Sequence, residues 1–214
     1  MKAKIFQVDP ENPDNAVIAR ASDFLQVEGI VSYPTETFYA LGTSISSETA
    51  LERIFTIKGR QKGKPLPVII PGRDSLKWLC TEIPGVAVRL MEEFWPGGLT
   101  LIFRASRSVS PLVTGGTGTI GVRISSHAVA QALVTTLGSP ITATSANLAG
   151  EEGCSTAQQV AELLGEGIEV ILDGGRTEGV FPSTVLDLTQ VPPRILREGI
   201  IPSDTIRSYV TLSP

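Results

Sequence analysis

Apolar and polar positions along this chain switch repeatedly between a period of two and a period near 3.6, which reads as strands alternating with helices. Lys4 to Val8 reads as a short strand. Pro13 opens a helical pattern through Val17, Ile18, Ala21, Phe24 and Leu25, and Gly29 stops it. Gly29 to Tyr33 is a buried strand ended by Pro34. Ser46 or Ser47 is suited to cap a helix whose apolar face is Ala50, Leu51, Ile54 and Phe55. That helix delivers Lys58 and Arg60 at or just beyond its last turn.

Leu66 to Ile70 reads as a second buried strand, followed by helical segments around Ser75–Leu79 and Val86–Phe94. A turn at Trp95–Gly98 leads into strands over Leu99–Arg104 and Thr119–Ile124. His127 to Leu137 is helical, with Gly138 as its C-cap. Pro140–Thr144 is a strand, Ala157–Leu164 a helix, and Val170–Asp173 a strand ending at Gly174 and Gly175. Ser183–Asp187 and Arg194–Arg197 are short strands, and Ser203–Tyr209 is a final helix. The glycine-rich stretch Val113–Gly118 reads as a loop. This alternation predicts an α/β fold. Several connections are too short for a crossover helix, so part of the sheet is expected to be antiparallel.

A length of 214 residues, 42% of them apolar, is enough for a real core in one domain or two small ones. No run approaches the roughly 20 apolar residues that span a bilayer, and no export signal follows the N-terminus, so the expected location is the cytoplasm. Cys80 and Cys154 lie far apart and fit two unpaired thiols. His127 is the only histidine, so a structural zinc site is not expected. A Ser-His-Asp triad would have to use this same residue, which starts a helix.

Within this acidic chain of net charge −4, Lys58, Arg60, Lys62 and Lys64 form a local cationic cluster, which points to one anionic ligand. Gly59–Lys64 is one residue short of a Walker A loop, and Pro65 stands where a magnesium-binding hydroxyl should be. Gly115, Gly116 and Gly118 do not form a Rossmann fingerprint. Anion binding must therefore come from side chains, with Arg104, Arg107, Arg123 and Arg197 as further candidates. Three strands run into small polar groups: Thr35-Glu36-Thr37, Thr144-Ser145-Ala146-Asn147, and Asp173-Gly174-Gly175. Ligands collect beyond strand ends in α/β sheets, so these ends are expected to share one polar cavity.

Taken in order, the motifs resemble those of the YrdC/Sua5 family of threonylcarbamoyl-AMP synthases. Tyr33-Pro34-Thr35-Glu36-Thr37-Phe38-Tyr39-Ala40-Leu41-Gly42 is similar to PTETxYGLG, and Lys58-Gly59-Arg60 to the KxR motif. Lys64-Pro65-Leu66, Trp95–Thr100, Thr119–Arg123 and Thr144–Gly150 match further family motifs. Asp173-Gly174-Gly175, Ser183–Asp187 and Ile195–Gly199 complete the series.

The resemblance implies a YrdC-like twisted mixed sheet flanked by helices, with a deep, positively charged cavity. One domain over 1–214 is expected, with its core over about 10–201. The implied reaction joins L-threonine, bicarbonate or CO2, and ATP into L-threonylcarbamoyladenylate and pyrophosphate. Partner proteins would then transfer the threonylcarbamoyl group to tRNA. Lys58 and Arg60 would be catalytic and hold the ATP phosphates; Ser145 and Asn147 would hold the nucleotide, assisted by Thr119 and Arg197. Thr35, Arg123, Thr142 and Ser183 would shape the threonine pocket. Mg2+ is expected to accompany ATP, without a dedicated carboxylate cage. Many relatives carry a histidine just after the Pro-Leu step, where this chain has Leu66-Pro67-Val68-Ile69-Ile70. The alternative reading is a divergent paralogue that binds RNA, such as tRNA or a duplex, or a nucleotide, without this activity.

Overall fold

The computed structural model describes residues 2–213; Met1 and Pro214, the ends of the expected 1–214 domain, lie outside the described residues. In chain order the elements are β1 (Lys4–Gln7), α1 (Asn15–Gln26), β2 (Val31–Pro34), β3 (Tyr39–Gly42), α2 (Glu48–Lys58) and β4 (Val68–Ile69). Then come α3 (Leu76–Leu79), α4 (Gly85–Phe94), β5 (Leu99–Arg104), α5 (Pro111–Thr114), β6 (Thr119–Arg123) and α6 (Ala128–Leu137). Last are β7 (Ile141–Thr142), β8 (Thr144–Ser145), α7 (Ala157–Leu164), β9 (Val170–Asp173), β10 (Thr184–Asp187), β11 (Arg194–Arg197) and α8 (Ser203–Arg207).

The strands divide over two mixed sheets. One has five strands in the order β1-β9-β2-β3-β8, the other six in the order β11-β10-β5-β6-β4-β7. Parallel pairs (β1/β9, β2/β9, β5/β10, β4/β6) sit beside antiparallel ones (β2/β3, β3/β8, β5/β6, β4/β7, β10/β11). The expected strand at Pro140–Thr144 is broken in two. β7 pairs with β4 in the six-stranded sheet and β8 with β3 in the five-stranded one, so Ala143 is the corner where the chain changes sheet. Ala143 N donates to Pro67 O at 2.8 Å, which holds that corner.

β3 is a strand that the hydrophobic pattern missed. All four of its residues, Tyr39 to Gly42, are buried, so no alternation marks it, and Ala40 and Gly42 have little strand preference of their own. Pairing with β2 and β8 makes it a strand. The expected strand at Leu66–Ile70 is shorter than its apolar run, covering Val68–Ile69 only. α5 runs into the Val113–Gly118 stretch expected as a loop; Ser110 caps its start and Gly115, at φ 60°, ends it.

Ile18, Ala21 and Leu25 of α1 pack with Val129, Leu133 and Val134 of α6 over Val31, Tyr33 and Leu172 of the five-stranded sheet. A second cluster joins the two sheets, with Tyr39 and Leu41 in contact with a body containing Val68, Leu101 and Val122. Burying these side chains is the main favourable term, at roughly 25 cal/mol per Å² of apolar surface. No helix among the described residues is long and apolar enough to cross a membrane.

Candidate functional site

A cavity of about 620 Å³ opens between the β2–β3 turn, the β8 corner and one face of the six-stranded sheet. On that face Val185 is registered opposite both Thr100 and Arg197, and Ile69 is opposite Arg123. Residues opposite one another share a face, so these pairs put Thr100 of β5, Arg123 of β6 and Arg197 of β11 on the cavity side. Thr35, Arg60, Arg123, Ser145, Asn147, Ser183 and Arg197, all expected at a site, line the cavity together.

The four cations of the cluster separate. Ser47 caps the start of α2, and Gly59, at φ 57°, ends it. Arg60 N reaches back to Phe55 O at 2.9 Å, the Schellman closure that turns the chain sideways off the helix. This turn aims Arg60 into the cavity. Its Nη2 donates to Pro65 O at 2.8 Å, while its buried Nε has no partner. Lys62 points outward and pairs with Glu52 at 2.6 Å, and Lys64 is exposed.

Lys58 does not line the cavity, contrary to the expectation of direct phosphate contact. Only 2% exposed, it reaches beneath the Ser145–Asn147 turn. Its ammonium donates to Ser145 O, and to Asn147 O and Asn147 Oδ1 at 2.8 Å each. Asn147 Oδ1 also accepts from Ser145 Oγ at 2.6 Å, and Ala149 N donates to Lys58 O at 2.9 Å. Lys58 thus fixes the turn whose outer surface lines the cavity. Burial first, and then the nearby Arg60 charge, push its ammonium down to about 7.

The opposite wall is built on β6 and β10. Arg123 is buried rather than on the surface, and its Nη1 donates to Glu36 Oε1 at 2.7 Å. Arg197 donates through Nη2 to Ser183 O at 2.8 Å and Ser183 Oγ at 3.0 Å, and Thr100 Oγ1 donates to the same hydroxyl at 3.0 Å. Desolvation, and then the charge of Arg123, hold Arg197 below the ordinary arginine value. Thr35 Oγ1 donates to Phe38 O at 2.7 Å and so closes the β2–β3 turn.

Besides Lys58, two more expected site residues lie outside the lining. Thr142 is fully buried, donating to Leu41 O at 2.9 Å and accepting from Thr43 N at 3.1 Å. Its hydroxyl holds the two sheets together where β7 meets the end of β3, which corrects its assignment to a ligand pocket. Thr119 starts β6 and shares its hydroxyl with Thr117 at 2.8 Å. Arg104 and Arg107 also lie outside the cavity lining. Ile69 is buried in the apolar cluster beside Tyr33, so no ring nitrogen faces Arg123 from β4.

His127 caps α6, its Nδ1 accepting from Val129 N at 3.3 Å. Cys80 and Cys154 are free and buried; burial raises both thiols, Cys80 to about 12. Neither cysteine nor His127 lines the cavity. Thr100 and Gln159 also line the cavity without having been expected there. Glu36, Thr37 and Thr100 lie inside recognised motifs, but only the fold shows what their side chains touch.

Arginine forks, hydroxyls and an asparagine around one cavity suit anionic ligands with several oxygens. Fold and site together define a mixed α/β protein with a polar, arginine-lined cavity between two sheets. The chain belongs to the Sua5/YciO/YrdC family, whose model, described as telomere recombination, matches residues 23–199. It is 40% identical to a threonylcarbamoyl-AMP synthase of Pyrococcus abyssi, over 89% of this chain and 56% of that protein. The solved structure of P. abyssi Sua5 complexed with L-threonine superposes with a TM-score of 0.94 at 38% identity, covering 99% of this chain and 63% of that one. A Bacillus subtilis threonylcarbamoyl-AMP synthase is 37% identical over 98% of this chain and 62% of its own length. The chain therefore spans less than two thirds of both synthases. An uncharacterised Escherichia coli protein, YciO, is 33% identical over 92% of this chain and 96% of its own; its crystal structure gives a TM-score of 0.85 at 32% identity over the same shares.

Proposed function

We propose that this chain is a nucleotidyltransferase that condenses L-threonine, bicarbonate or CO2, and ATP into L-threonylcarbamoyladenylate and pyrophosphate. The carrying observation is a single cavity with two cationic walls, Arg60 with Ser145 and Asn147 on one side, Arg123 and Arg197 with Ser183 on the other. The first wall suits a polyphosphate and the second a carboxylate, so a nucleotide and an amino acid fit side by side.

Threonine's amine and CO2 form a carbamate without a protein nucleophile. A carbamate oxygen then attacks the α-phosphorus, the bond to the bridging oxygen breaks, and pyrophosphate leaves with the electron pair. That step needs positioning and charge neutralisation more than acid–base groups. Arg60 neutralises charge on the phosphates. Ser145 and Asn147 offer polar groups around them, and Lys58 supplies positive charge from behind their turn. Thr119, at the start of β6, would assist the nucleotide only from outside the lining. Thr35, Arg123 and Ser183 hold the amino acid.

Mg2+ would arrive on the ATP phosphates as part of the substrate. The product would pass in the cytoplasm to a tRNA threonylcarbamoyl transferase for N6-threonylcarbamoyladenosine synthesis. The test is pyrophosphate release with each substrate omitted in turn, together with the product mass. Release that needs all three, with the adenylate mass present, is expected; ATP binding without turnover would refute the activity.

Two observations favour a second reading. The chain covers YciO almost end to end, and Ile69 puts an apolar side chain where many synthases carry histidine. A divergent paralogue would bind nucleotide or RNA without making pyrophosphate. RNA binding would appear as affinity for tRNA or duplex that falls steeply with salt.

A further inference from the structure

Among the described residues, Arg123 and Glu36 form the ion pair most shielded from water, with side-chain exposures of 6% and 14%. Their elements belong to different sheets: Glu36 sits in the β2–β3 turn of the five-stranded sheet, and Arg123 ends β6 of the six-stranded one. Glu36 uses both oxygens. Oε1 accepts from Arg123 Nη1 at 2.7 Å and Oε2 from Ser125 Oγ at 2.5 Å. Ser125 is itself fixed, since its Oγ accepts from His127 N at 3.2 Å. The turn that carries Glu36 is held by Thr35, whose Oγ1 accepts from Thr37 N at 3.2 Å. An arginine has five N–H donors, and Glu36 engages Arg123 through Nη1 while the guanidinium lines the cavity.

We propose that Glu36 is a positioning residue for the carboxylate of the amino-acid substrate: with Ser125 it holds Arg123 so that the free donors of the guanidinium face the cavity. The inference rests on the proposed amino-acid pocket and adds to it the group that orients its arginine. A loose arginine this close to Arg197 would swing away from it and lose its aim. Glu36 removes that freedom before the ligand arrives, so less ordering is needed on binding.

Charge alone and positioning predict opposite signs. Glu36→Gln makes the cavity one unit more positive, which by charge alone tightens carboxylate binding. If Glu36 positions Arg123, the same change weakens it. The experiment is calorimetric titration of wild type and Glu36→Gln with L-threonine and, separately, with ATP, with the melting temperature as a check of folding. Expected is an L-threonine Kd raised tenfold or more and an ATP Kd within twofold of wild type. An L-threonine Kd that is unchanged or lower, equal losses for both ligands, or a wild type that does not bind L-threonine would each overturn the inference. Should Glu36→Gln fail to fold, Ser125→Ala removes one anchor without changing charge, and a threefold or larger rise for L-threonine alone is expected. The two readings separate cleanly. Glu36-dependent threonine binding without pyrophosphate release removes the proposed synthase activity but keeps this inference, and release without Glu36 dependence does the reverse.

Discussion

Gly115→Ala tests how the Arg60 wall is built. Gly115 has φ 60° and ends α5, and a Cβ there would lie 2.7 Å from Pro65 N, 2.8 Å from Gly63 O and 2.9 Å from Lys64 C. These are backbone atoms, so no rotamer change relieves the clash. The left-handed backbone costs an alanine about 1–2 kcal/mol. Forcing the Gly63–Pro65 segment outward adds about 1–3 kcal/mol, the usual range for overpacking. The neighbouring Gly116, at φ 76° with open space around it, carries the first cost alone. At ~2–4 °C per kcal/mol for a chain of this size, Gly115→Ala should lower the melting temperature by about 4–20 °C and Gly116→Ala by about 2–8 °C. The pushed segment includes Pro65 O, the anchor of Arg60 Nη2. ATP affinity should therefore fall several-fold in Gly115→Ala and hold in Gly116→Ala. Calorimetric melting and ATP titration of both variants check this. Equal effects of the two substitutions on both readouts would refute the close-approach argument.

Other outcomes follow from the same contacts. Arg60→Ala should reduce pyrophosphate release at least a hundredfold and leave the melting temperature within a few degrees; wild-type rates would remove Arg60 from the phosphate wall. Thr142→Val should cost about 1–3 kcal/mol by stripping Leu41 O and Thr43 N of their partner. Its threonine KM should not change, and a selective rise in that KM would return Thr142 to the pocket. Lys58 has a folded-state pKa of about 7, below its ordinary 10.5, so the unfolded chain binds the proton more tightly between those values. Its contribution is therefore a stability present above about 10.5 and lost as pH falls from there to about 7, below which it no longer changes. Lys58→Met should flatten that rise in melting temperature between pH 7 and 10; an unchanged slope would contradict the depressed ammonium.

The place of Arg123 is not set by its local sequence. Between Val122 and Ile124 its spacing allows either an exposed charge or a buried one, because strand alternation tells which face a residue takes but not what covers that face. The β2–β3 turn covers it, and that turn comes from residues almost ninety positions earlier. Lys58 gave the same ambiguity in reverse: a cation at a helix end reads as a ligand contact, yet the chain folds Ser145–Asn147 over it.

The sequence by itself determined the class of fold, most element boundaries, the cap at Gly138, a cap at Ser46 or Ser47, and the ordered motifs that mark the family. These are local properties, set by hydrophobic period, capping chemistry and the backbone freedom of glycine within a few residues. Tertiary structure alone decided that there are two sheets, that the chain changes sheet at Ala143, and that β3 is a strand at all. It also decided which cations face the cavity, since Arg60, Arg123 and Arg197 meet there only because strands distant in sequence are registered side by side. Register and layer packing depend on burial summed over the whole chain, which no local window of residues contains.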